Sequence, residues 1–85
     1  LDEQSKRLFS LLLEQVAALN NIEESEIKEI ISNLSMEIHV KGKELFFPIR
    51  LALWGDVHGP DIGLIIKILG KEKTLARLNK ALKYG

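Results

Sequence analysis

Residues 43–70 read KELFFPIRLALWGDVHGPDIGLIIKILG, two apolar runs separated by a segment bounded by Gly55 and Gly59. In the first run the apolar side chains at 45, 46, 49, 52 and 53 share one face at the 3.6-residue period of a helix. Pro48 lacks an amide donor and suits only a first turn, so the regular helix is expected to start near Phe47, with Gly55 as its stop. In the second run Ile62, Ile65, Ile66 and Leu69 repeat as i, i+3, i+4, i+7. Gly59-Pro60-Asp61 ahead of it supplies a turn, a proline at the first helical position and an acid in the first turn. Leu64 and Ile68 add an apolar flank, which predicts the most buried helix of the chain, ended by Gly70.

Outward from this stretch the pattern stays helical. Leu75, Leu78 and Leu82 carry a final helix whose exposed side bears Lys73, Arg77 and Lys80. Toward the N-terminus, Leu8, Leu12, Val16 and Leu19 recur at helical spacing over residues 3–19, and Asn20-Asn21 ends them. Ile27, Ile30, Ile31 and Leu34 form a second stripe reaching about Met36, with Asn21 and Glu24 spaced as a capping box. Glu37 to Val40 alternates polar and β-branched residues, but no second alternating run exists to pair with it. Residues 37–42 are therefore expected as an extended connector closing at Gly42. The expectation is an all-α fold, a compact bundle of about five helices in a single domain over residues 1–85.

Composition excludes several alternatives. With 85 residues, 46% hydrophobic and 28% charged, the chain is ordinary globular material rather than disordered or fibrous. A domain of this size buries only about 60–65% of its unfolded surface, so the core is thin. The absence of cysteine removes disulfides and thiolate zinc sites, and two histidines, His39 and His58, are too few for a metal site. The longest near-apolar runs, Phe9 to Leu13 and Ile62 to Ile66, fall far short of the roughly 20 residues of a membrane span, and no leader pattern is present. A soluble, cytoplasmic protein is expected, and a start at Leu1 rather than methionine reads as a fragment of a longer one.

The zero net charge hides a gradient. Residues 1–38 carry eight acids against three bases, whereas residues 39–85 carry nine bases against four acids. The second half is thus the side suited to a polyanion, although lysines that merely solvate helix faces are the commoner case, by roughly two to one, because basic residues are mostly exposed wherever they occur. His58 has no nucleophile or acid dyad at a spacing that would orient it, so it reads as a solvated loop histidine. The Gly55–Gly59 loop is not a phosphate loop, since no lysine and Ser/Thr pair follows and no strand leads in. Asp61 would repel a phosphate there, which leaves base edges or ribose as the groups that suit this turn. Arg50 stands apart: at i−4, i−3, i+3 and i+4 it has Phe46, Phe47, Leu53 and Trp54. A guanidinium among aromatic rings is the equipment for stacking and hydrogen-bonding unpaired bases. An arginine laid along a core rim by its aliphatic stem fits the same spacing.

The segment KGKELFFPIRLALWG over residues 41–55, then Gly59-Pro60, then Leu69-Gly70-Lys71-Glu72 with Arg77-Leu78, closely resembles the C-terminal anticodon-binding region of bacterial-type glutamyl-tRNA synthetases. That family's pattern runs KGKxLFxPLRxALTGxxxGP and then LLGKExxxxRL. The match covers residues 41–82 without a gap, while residues 1–40 agree only in forming two helices of the right length. The chain departs from the pattern at Trp54, where the family has threonine, and at Ile49, where it has leucine.

The resemblance implies the last, all-helical part of a class I aminoacyl-tRNA synthetase, a ligase that joins L-glutamate to its tRNA with ATP. The family's His-Ile-Gly-His-like and Lys-Met-Ser-Lys-Ser-like signatures, which go with ATP and magnesium in the catalytic domain, are not found in this sequence. By the resemblance, no catalytic residue, metal ligand or cofactor is expected on this chain. Anticodon contacts are implied at Arg50, Gly59, Pro60 and Ile62, with Trp54 as an added stacking surface. Lys71, Lys73, Arg77 and Lys80 are the candidate phosphate contacts. The implied partners are the anticodon stem-loop of glutamate tRNA and the preceding domains of the same chain, with no membrane and a monomeric state. Glutaminyl-tRNA synthetases of the usual type read anticodons with β-barrels, and glutamyl-queuosine enzymes lack this region, so an all-α module resembles glutamyl-tRNA synthetase itself. The alternative is a helical adaptor that docks a protein, or the rest of its own chain, through the same aromatic and basic face.

Overall fold

The computed structural model describes residues 2–84. Four helices pack into a body of 30 × 25 × 24 Å: α1 (Glu3–Ala17), α2 (Glu24–Ile38), α3 (Lys43–Trp54) and α4 (Ile62–Tyr84). No strand occurs among the described residues, so the all-α expectation holds. Helix α4 rests against each of the other three, and α1 also packs on α2. The apolar stripes meet in one core, with Leu12, Val16, Ile27, Ile49, Leu53, Ile65, Ile66 and Leu78 fully enclosed.

The helix count is four rather than about five, because the expected fourth and fifth helices are one element with a break inside it. Gly70, at φ 83° and ψ 169°, leaves helical geometry while the chain continues as helix on both sides. Only glycine adopts that backbone region at low cost. A Cβ at Gly70 would meet no atom within 4 Å, so the backbone alone sets the penalty of a substitution. Gly70→Ala is expected to lose about 1–3 kcal/mol in chemical denaturation. A variant as stable as the parent would show that the bend does not require glycine.

Several boundaries differ from the sequence reading for identifiable reasons. Helix α1 begins at Glu3 and is capped by Asp2, whose Oδ1 accepts a hydrogen bond from the Ser5 amide at 2.7 Å. That bond holds the Asp2 carboxyl below its usual value, so the cap contributes stability above the unfolded pKa and is lost as pH falls through the lowered one. The helix ends at Ala17, two residues before Leu19. Asn21 and Glu24 form no capping box: α2 starts at Glu24 after Glu23, whose side chain makes no capping bond. The intervening residues instead bring the half-buried Ile22 onto the core. Helix α2 outlasts the expected end at Met36 because Ile38 is buried, and His39 closes it in the left-handed conformation. The extended connector over 37–42 shrinks accordingly to the residues after His39, with Val40 tucked inward.

Helix α3 starts at Lys43 rather than Phe47 and holds Pro48 within it. The missing amide leaves the Glu44 carbonyl without its i+4 donor, a modest loss near a helix start against the burial of Leu45, Ile49 and Leu53. Gly55 ends α3 as expected, left-handed, its amide reaching the Arg50 and Leu51 carbonyls at 3.1 Å. Pro60 lies outside α4, not at its first helical position. Asp61 precedes the helix and caps it, its Oδ2 accepting from the Gly63 amide at 3.1 Å and its carbonyl from Ile65 at 2.9 Å. Leu64 and Ile68 are 40% and 59% exposed, so the expected apolar flank of this helix faces outward rather than into the core. The core takes only the narrower stripe of Ile62, Ile65 and Ile66.

Candidate nucleic-acid interface

The loop 55–61 joins the C-terminal end of α3 to the start of α4, and Arg50 bridges the two. Its Nε donates to the Pro60 carbonyl at 3.1 Å, and its guanidinium carbon lies 5.7 Å from the centre of the Phe46 ring. The side chain is half-buried. Nη1 and Nη2 have no hydrogen-bond partner among the described residues, so the outer edge of the fork keeps its donors. One guanidinium thus combines a structural tie at Nε with an open recognition edge.

The other aromatic neighbours expected around Arg50 are engaged elsewhere. Phe47 meets the His58 ring edge-on at 6.0 Å, and the Lys43 ammonium stands 6.0 Å from its centre. Trp54 covers Gly59: a Cβ on Gly59 would lie 2.8 Å from the indole Cδ1 and 3.0 Å from Nε1. Glycine here is a matter of close approach, since the indole occupies the space a side chain would need. His58 is exposed, its amide bonded to Asp56 Oδ1 at 3.0 Å in a short turn. Ile62 is 1% exposed, so its side chain belongs to the core and is not presented at the surface.

The basic residues of α4 divide. Lys71 reaches back across the bundle to the Leu19 carbonyl at 2.9 Å. Arg77 donates through Nη1 to the Leu53 carbonyl in the last turn of α3, satisfying a helix-end acceptor. Lys73 and Lys80 are exposed and make no ion pair or hydrogen bond among the described residues. Arg77 and Lys80 line one open groove with Trp54 and Gly55, so the indole connects the Arg50 loop to the basic side of α4. Arg50, Trp54, Gly59 and Pro60 therefore come together, Arg77 and Lys80 adjoin them through Trp54, and Ile62 lies beneath; Lys71 is tied instead to the α1–α2 turn.

Of the aromatic neighbours that spacing gave Arg50, Phe46 is the ring that carries it; sequence reasoning overlooked Lys28, Ser32, Met36 and Lys41, which with Phe46 line a groove beside it. Lys28, Ser32 and Met36 recur at i, i+4, i+8 on α2, a spacing visible in the sequence but carrying no chemical signal by itself. Among the described residues no three His, Asp or Glu side chains are grouped to hold a metal, and no helix is long and apolar enough to cross a membrane.

This arrangement can be set beside known proteins. A family profile described as an anticodon binding domain matches residues 1–82. The chain is 44% identical over 78 residues to a glutamate–tRNA ligase of Staphylococcus saprophyticus, a match covering 92% of this chain and 16% of the relative. Its fold is similar to that of a glutamate tRNA ligase from Elizabethkingia meningosepticum, solved by crystallography with its amino acid, at a TM-score of 0.85 and 30% identity, over 96% of this chain and 16% of that one. The chain spans about one sixth of the length of either relative.

Proposed function

This chain belongs to the anticodon-binding domain family, and we propose that it serves as the anticodon-recognition part of a cytoplasmic glutamate–tRNA ligase, binding the anticodon stem-loop of glutamate tRNA. The observation that carries the reading is the state of Arg50. Phe46 and the Pro60 carbonyl hold the guanidinium in place while its Nη edge stays free beside an exposed turn. A flat, pre-oriented fork of donors suits the hydrogen-bonding edge of an unstacked base. Trp54, 39% exposed and packed over Gly59, offers a second planar surface on the same turn. ATP, magnesium and the joining of glutamate to tRNA belong, in this reading, to the remainder of the ligase. This chain binds and positions the RNA.

The phosphate side of the reading rests on Lys73 and Lys80, the two candidates not tied to the protein's own carbonyls. In the full-length ligase, Lys80→Ala is expected to weaken glutamate tRNA and an anticodon-altered transcript alike. It should also reduce the log–log salt slope of binding by about 0.7–0.9, the share of one released counterion. Binding with the parental slope and affinity would remove Lys80 from the interface. Failure of the ligase to lose affinity as salt rises would overturn the RNA reading as a whole.

A further inference from the structure

Arg50 and Trp54 are one helical turn apart, so their side chains leave the same face of α3. They hold successive residues of the loop that follows. Arg50 donates through Nε to the Pro60 carbonyl, and Trp54 lies against Gly59. The three atoms nearest the position of a Gly59 Cβ all belong to the indole: Cδ1 at 2.8 Å, Nε1 at 3.0 Å and Cγ at 3.6 Å. The glycines with a positive φ are Gly42, Gly55 and Gly70, and Gly59 is not one of them. Its backbone conformation therefore does not call for glycine, whereas the indole above it does.

Little else fixes this turn. Among the described residues, the hydrogen bond from Arg50 to Pro60 is the only one that ties residues 56–60 to the rest of the protein, since the bond from the His58 amide to Asp56 Oδ1 stays inside the loop. A bond to a carbonyl orients a guanidinium only as well as the carbonyl is itself fixed. Trp54, packed on the residue next to Pro60, supplies that fixing. Its own base is firm, because Arg77 of α4 donates to the carbonyl of the preceding residue, Leu53. The indole thus stands between a pinned helix end and the turn.

We infer that Trp54 is a positioning residue for Arg50: by filling the space over Gly59 it fixes the turn whose Pro60 carbonyl sets the direction of the free guanidinium edge. The inference rests on the anticodon reading above. Recognition by two parallel hydrogen bonds depends on direction, so a fork that swings with its anchor reads a base edge poorly even though its charge is unchanged. A base lying on the outer face of the indole would be gripped without being identified, because every base has a flat face. Positioning therefore alters the preference between RNAs, and stacking alters the affinity for all of them.

The test measures binding of glutamate tRNA and of an anticodon-altered transcript by the full-length ligase carrying Trp54→Thr, Trp54→Phe, Arg50→Lys, or Trp54→Thr together with Arg50→Lys. Trp54→Thr is expected to narrow the preference for glutamate tRNA by about three- to tenfold, in the lower part of the range for residues coupled through a shared contact. Trp54→Phe keeps a flat ring at Cγ and Cδ1 and should retain most of the preference. In the Arg50→Lys background Trp54→Thr should narrow it no further, because no fork remains to be aimed. If the narrowing is the same in both backgrounds, Trp54 identifies a base by itself; the positioning role is then wrong and the anticodon reading stands. If Trp54→Thr weakens both RNAs equally, or changes only the melting temperature, the indole is a stacking platform or simple packing and the inference falls. If Arg50→Lys itself leaves the parental preference, the base-reading role of Arg50 fails and the positioning role fails with it.

Discussion

Arg50→Lys in the full-length ligase is expected to narrow the preference for glutamate tRNA over an anticodon-altered transcript by about 5- to 150-fold, the equivalent of one base contact at roughly 1–3 kcal/mol. Lysine keeps the positive charge but replaces a flat fork with a single ammonium, so it cannot donate two parallel bonds to a base edge. It also loses the Nε bond to the Pro60 carbonyl and the planar contact with Phe46, which together hold the loop 55–61 to α3. A small loss of stability therefore accompanies the substitution whatever the role of the Nη edge. The informative quantity is the ratio between the two RNAs. If Arg50→Lys lowers the melting temperature but binds both RNAs in the parental ratio, Arg50 is a rim residue and the base-reading role is wrong.

Ile49→Ala, one position earlier, is expected to do the reverse. Ile49 is 0% exposed and faces the core from the middle of α3. Truncation removes buried methylene groups and leaves a cavity that close-packed neighbours fill only in part, at about 2–5 kcal/mol. For a chain of this length the whole folding free energy is roughly 4–13 kcal/mol, at about 0.05–0.15 kcal/mol per residue. The melting temperature of the 85-residue chain should accordingly fall by at least roughly 8 °C. In the full-length ligase, held below its melting point, the preference between the two RNAs should stay at the parental value. A loss of discrimination without a loss of stability would show that Ile49 acts through the interface rather than the core. Successive residues thus separate binding from folding, because α3 turns one of them inward and its neighbour toward the loop.

Much of this was legible from side-chain spacing. The stripes Leu8-Leu12-Val16, Ile27-Ile30-Ile31-Leu34 and Ile62-Ile65-Ile66 are the buried faces of α1, α2 and α4, since a helix with apolar residues at its own period has only one way to hide them. Gly55 as the stop of α3 was legible for the same local reason: a left-handed closing residue favours glycine. Arg50 was legible as the residue to isolate, and Phe46 is indeed its i−4 neighbour and its ring partner. The family resemblance of residues 41–82 was legible in a motif long enough to be specific.

Placement was not legible wherever a distant element supplied the deciding atom. Spacing set Phe47 and Trp54 beside Arg50, but packing gave Phe47 to His58 and Trp54 to Gly59. Lys71 and Arg77 look from sequence like free basic residues on an exposed face. Yet Lys71 meets the carbonyl of Leu19 and Arg77 that of Leu53, partners 52 and 24 positions away. Helix α3 runs through Pro48 because the buried Leu45 makes the preceding turn worth keeping, and helix resumes directly beyond the break at Gly70 because the segments on both sides of it lie on the core. The groove beside Phe46 exists because α2 and α3 are both held by α4 and not by each other. Sequence alone determined that the chain is helical and which apolar stripes form the core, because these follow from bonds and spacings within a few residues, while helix ends and the Leu64–Ile68 flank did not follow from them. Only the tertiary structure decided which charges remain uncommitted, because a lysine or arginine is captured by whichever unsatisfied carbonyl the packed helices bring within its reach.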